Sequence, residues 1–216
     1  MAPARIHPGR LIHDWDHLVI TLREGAGSGP ETALLSLYAI TYSASLGAGH
    51  VALLEVPSTS AAGRAVTLAD DDALGRRMQA RLRSMGLDRA ALAGEPVAAS
   101  FEREPFERDA FGFRIVSDGL EVHARWEEAW PPFWVDGQGG GFSDNEDIWA
   151  MMVGARRASL TVNGIAAPGD SFDDDAWVAK LGRSLSSAHA AFAEVRVEPV
   201  SGQPLSPSAR RSVSGG

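Results

Sequence analysis

The sequence predicts a mainly β chain: an antiparallel β-barrel or barrel-like sandwich, lipocalin-like by analogy, with one inserted α-helix. Three observations lead there. Short apolar runs recur between Gly-, Pro- and Ser-rich breaks. Two hairpin dipeptides, Asp118-Gly119 and Asn163-Gly164, sit between such runs. Only one segment repeats its apolar residues at helical spacing.

Taken in order, residues 1–14 read as an irregular start. Leu18-Val19-Ile20-Thr21-Leu22 reads as a strand ended by the glycines from Gly25 to Gly29. Leu34 to Ser45 is a second strand, and His50 to Val56 a third that Pro57 stops. Asp70-Asp71-Asp72 then offers a helix cap and favourable charge for the N-terminus. Leu74, Met78, Leu82 and Met85 follow at helical spacing, and Gly86 stands where a C-cap glycine belongs. Arg76, Arg77, Arg81 and Arg83 mark a solvated outer face.

Phe111–Val116 and Leu120–Trp126 flank Asp118-Gly119, which reads as a type I′ turn. That turn makes Ile115 oppose Val122, Phe113 oppose Ala124 and Phe111 oppose Trp126, all on one apolar face. Arg114, Glu121, His123 and Arg125 take the other face. In a barrel lumen they would form an acid/base cluster; on the outside they would be a salt-paired sheet surface. A second hairpin turns at Asn163-Gly164, and a last strand runs from about Ala188 to Val197. Residues 15–200 thus read as a single mainly β domain, and the Ser/Pro/Gly-rich stretch 201–216 as a disordered tail.

Composition removes whole classes of chemistry. The 216-residue chain has no cysteine, which excludes disulfides, thiolate nucleophiles and Fe–S ligation, and accords with a cytoplasmic location. A formal charge of −8 argues against a nucleic-acid partner. No apolar run reaches the ~20 residues a membrane helix needs. Lys180 is the only lysine, so Schiff-base chemistry would have to use it. No GxSxG or HExxH motif occurs.

The functional signal is a cluster of aromatic residues. Trp126, Trp130, Phe133, Trp134, Phe142 and Trp149 surround a Pro- and Gly-rich stretch that reads as a loop. Asp136 lies beside Trp134, where desolvation would raise its pKa. Gly139-Gly140-Gly141 offers the hinge a lid would need. His189 shares a strand face with Ala191, Ala193, Val195 and Val197, a face with room for large rings opposite.

The expected function is binding of a hydrophobic small molecule in a Trp-walled cavity. Trp130, Phe133, Trp134, Phe142 and Trp149 would be its walls. Cofactor-free acid/base chemistry (hydration, isomerisation or cyclisation) would use His189, Asp136 and His123. The alternative is a protein-interaction module, a homodimer included, anchored by the same aromatic loop. No metal or cofactor is expected. His13 and His17 would suit one metal only from a helix, and their surroundings predict none. The run from Gly49 to Glu55, containing His50, resembles the first metal motif of the cupins, where His-x-His precedes Glu. Ala48 replaces the first His, so the resemblance implies at most a double-stranded β-helix without metal.

Overall fold

The computed structural model describes residues 9–25, 28–57, 63–138 and 146–197. In chain order the elements are β1 (Arg10–Arg23), β2 (Glu31–Ser43), β3 (Gly49–Val56), β4 (Arg64–Ala69), α1 (Asp72–Ser84), β5 (Val97–Arg103), β6 (Phe111–Ser117) and β7 (Leu120–Ala129). There follow β8 (Phe133–Gln138), β9 (Glu146–Val162), β10 (Ile165–Ala166), β11 (Asp173–Asp174), α2 (Val178–Leu181), β12 (Leu185–Ser186) and β13 (Ala188–Val197).

The main sheet closes on itself. Its order runs β9-β13-β1-β2-β3-β4-β5-β6-β7, and β7 pairs back onto β9. This is the barrel-like arrangement the strand pattern predicts. Closure satisfies the backbone groups that two sheet edges would leave unpaired. One neighbouring pair, β4–β5, is parallel. A parallel pair needs a crossover, and the segment carrying α1 supplies it. The inserted helix is therefore a consequence of topology.

Each ring strand turns apolar side chains inward. Leu18, Leu35, Leu54, Leu68, Phe113, Trp126, Leu160 and Ala190 meet in one buried cluster, with Phe101 of β5 packed against it. Trp126 is fully buried, stacks on Phe111 and donates its indole N–H to the Val19 carbonyl at 2.8 Å. That bond joins β7 to β1 across the interior. A second cluster covers the outer face of β1–β4, β9 and β13. There α1 packs Leu74, Met78 and Leu82 onto Val51, Leu53 and Ile40.

Several sequence expectations meet the structure directly. The first hairpin pairs Ile115 with Val122, Phe113 with Ala124 and Phe111 with Trp126. Asp71 caps α1, accepting the Leu74 N–H at 2.6 Å, and Gly86 takes φ +82° just past the helix end. Asn163 and Gly164 both take positive φ, as a type I′ turn requires. At the first hairpin Gly119 alone does so, so that turn is not type I′ although the register is the expected one.

Other expectations need correction. The start expected to be irregular is strand from Arg10, because β2 and β13 pair β1 on both edges whatever its polar side chains. The stretch expected to be a loop contains β8, which Pro131-Pro132 separate from β7 and which β9 pairs as a strand. Met85 is the C-cap of α1 and is exposed instead of joining the core. The arginines of α1 do not simply face water: Arg77 donates to the Leu46 carbonyl, Arg83 to that of Leu92, and Arg81 lies 3.9 Å from Glu146. The tail 201–216 lies outside the described residues. Among the described residues no helix is long and apolar enough to cross a membrane.

Candidate functional site

Strand alternation divides the sequence candidates between two faces of one wall, built from β8, β9, β13 and β1. The single cavity that would unite His189 with all the tryptophans is therefore not formed: side chains at odd and even positions of a strand point oppositely.

The outer face holds His189, Trp130 and Phe133. His189 is buried, and its Nδ1 donates to the Ser186 carbonyl at 2.8 Å. Trp177 meets it edge-on, with ring centroids 5.7 Å apart. Gly154, the cross-strand partner of His189, carries the Trp130 ring directly above it; a Cβ there would stand 2.8 Å from Trp130 Cε3. The Arg183 guanidinium lies 4.3 Å from the centre of the Phe133 ring. Two more histidines share this face. His13 stacks on Trp15 and bonds Ser43, and His17 stacks on Tyr38 and lies 2.9 Å from the Ser36 hydroxyl.

Burial holds these imidazoles neutral. Desolvation pushes His17 down to about 3, helped by His189 nearby. It pushes His13 down to about 4, with Arg81 adding to the effect. Desolvation also brings His189 down to about 4, against the bond to Ser186. A general base works best with a pKa near the operating pH. The Ser36–His17 pair thus resembles a nucleophile and base in geometry only, and His189 is an uncharged hydrogen-bonding group.

The inner face of the same wall rises beyond the packed core to form the mouth of the ring. Two cross-strand rows build it. In the lower row Trp134 pairs with Met151, Met151 with Phe192, Phe192 with Asp16, Asp16 with Ala39, and Ala39 with His50. In the upper row Asp136 pairs with Trp149, Trp149 with Glu194, Glu194 with Asp14, and Asp14 with Tyr42. Cross-strand partners share a face. The lower row lies two residues beyond Val153, Ala190 and Leu18 of the interior cluster, which fixes the face as the inner one.

Trp134 is 72% exposed, and Trp149, Met151 and Phe192 are partly so. Across the mouth, Arg103 at the end of β5 pairs with Asp16 and lies 5.2 Å from the centre of the Phe113 ring. Phe106, 60% exposed, stacks on Phe111. His50 stacks on Phe101 and holds Asp70 through Nδ1 at 2.9 Å, which leaves Nε2 as an acceptor when the ring is neutral. The sequence drew attention to His50 only through a metal motif and links none of His50, Asp14, Asp16 and Glu194 to the tryptophans. Only the register and the ring closure bring them to Trp149.

His123 belongs to neither face. It lies on the outer side of the first hairpin beside Glu121, at 3.1 Å, in a network with Arg114, Glu104 and Arg125. The polar hairpin face is thus the salt-paired outer surface, not a lumenal cluster. Phe142 and the side chain of Asp136 lie outside the described residues. Two open depressions, of about 480 and 270 Å³, lie elsewhere and contain none of the candidates. Among the described residues no three His, Asp or Glu side chains are grouped to hold a metal. Comparison with protein-family models, curated proteins and solved structures finds no match for this chain.

Proposed function

We propose that the protein binds a hydrophobic small molecule at the mouth of the ring, against Trp134, Trp149, Met151 and Phe192. The observation that carries this reading is the exposure of Trp134 in a regular strand, in register with Met151 and Phe192. Covering apolar surface is worth roughly 25 cal/mol per Å². Contiguous exposed apolar side chains with a polar rim are the usual mark of an interaction site. The buried side chains packed inside the ring support a site at its mouth over one in its interior. Acid–base chemistry there would fall to His50, oriented by Asp70. It would not use His123, on the outer hairpin, or His189, on the opposite face.

A specific observation favours the second reading, an interface. Among the described strands β8 pairs only with β9, so its other edge offers backbone groups to a partner chain.

Titration with the neutral dye Nile red tests the first reading. The wild type should bind the dye, and Trp134→Ala should bind it at least about tenfold more weakly, about 1.4 kcal/mol, with an unchanged circular dichroism spectrum. Equal dye affinity in the folded variant would sink the proposal. A mass that doubles with concentration, together with a blue shift of tryptophan emission, would favour the interface.

A further inference from the structure

The mouth is acidic as well as aromatic, and the register alternates the two kinds of side chain. Asp14 and Glu194 are direct cross-strand partners, and Asp16 follows on the same face of β1. Like charges directly opposite on an antiparallel pair are unfavourable. Two of the three carboxylates are answered: Asp16 by Arg103 and Glu194 by Arg196, the latter at 2.9 Å. Asp14 has no ion pair or hydrogen bond among the described residues. Partial burial, Glu194 and Asp16 all raise its pKa. Trp149 neighbours Glu194 in the upper row. The face of an indole ring attracts a cation, most strongly where water is excluded.

We propose that the ligand of this mouth is a lipophilic ammonium: an apolar body lying on Trp134, Met151 and Phe192, with its positive charge between Asp14, Glu194 and the Trp149 ring. The assignment rests on the reading of the mouth as a ligand site and adds the sign of the ligand's charge. A cation relieves the repulsion between Asp14 and Glu194. An anion would add to it, and a neutral molecule leaves it in place. Charge complementarity of this kind is screened by salt.

The test uses three probes with one apolar chain, each below its micelle concentration: decyltrimethylammonium, decanol and decyl sulfate. Calorimetry or displacement of Nile red reads their affinities. The ammonium should bind about tenfold more tightly than the alcohol, a difference of about 1.4 kcal/mol, and the sulfate most weakly. Added sodium chloride should shrink the preference. Asp14→Asn should bring the ratio of ammonium to alcohol affinity close to one, and Glu194→Gln should lower it. Equal binding of ammonium and alcohol, or tighter binding of the sulfate, overturns the charge assignment while leaving the ligand site standing. Failure of all three probes and of Nile red to bind removes the site itself, and the assignment with it.

Discussion

The outer and inner faces of the β8–β9–β13–β1 wall are made by the same backbone, yet they differ in kind. On the outer face α1 and the segment carrying α2 cover the sheet. The polar groups there are imidazoles that stay uncharged and bond within the protein. On the inner face the core stops below the rim. The groups there are ionised side chains and large rings in contact with water. The difference teaches that a histidine in an apolar strand is weak evidence for catalysis when its other contacts complete a core. An exposed tryptophan in register with other apolar side chains carries more functional information.

The comparison can be broken most decisively at its boundary. Trp126→Ala removes the largest fully buried side chain and its bond to Val19. It should cost about 3–5 kcal/mol in chemical denaturation. A loss below about 1 kcal/mol would mean that the interior is not the packed floor that separates core from mouth.

Acid should act chiefly through the outer face. His13 and His189 titrate near 4 in the folded protein and near the ordinary imidazole value of about 6.5 when unfolded. Between those values the unfolded chain binds more protons, so stability falls as pH drops from about 6.5 to about 4. Full stability is present above that window. The loss is on the order of 3 kcal/mol per buried histidine, and for His17, held down to about 3, the window extends to lower pH. His189→Gln should remove part of the pH slope. An unchanged slope would show that this imidazole is not held neutral by burial.

A smaller effect tests the close packing of Trp130. Gly154→Ala places a methyl group against the indole. It should destabilise by about 1–3 kcal/mol and alter Trp130 emission, while Nile red binding at the mouth persists. Loss of dye binding in a folded Gly154→Ala protein would argue that the two faces are coupled and not separate.

Much of the local structure was legible in the sequence. Asp118-Gly119 and Asn163-Gly164 placed two hairpins, because short connections leave few registers and alternation selects among them. The acidic cap and the glycine after it bounded α1. The last strand was readable end to end from its alternation. Elsewhere the same signals misled. Pro131-Pro132 and the nearby glycines suggested loop, although Phe133–Gln138 become strand once β9 offers a partner. Gly154, Arg156 and Arg157 concealed a strand of 17 residues, since a ring strand can carry polar positions where its face meets water.

For the candidate site, the sequence by itself singled out aromatic residues but not the grouping that the fold gives them. It determined turn positions, helix limits and which side chains share a face of one strand, because these depend on neighbours within a few bonds. The tertiary structure decided that β7 closes onto β9 and that Asp14, Glu194, Trp149 and Trp134 meet at one mouth. It also turned His189 to the opposite side of the wall. Those outcomes depend on pairing between strands far apart in the chain, and a shift of one residue in that pairing would exchange the two faces.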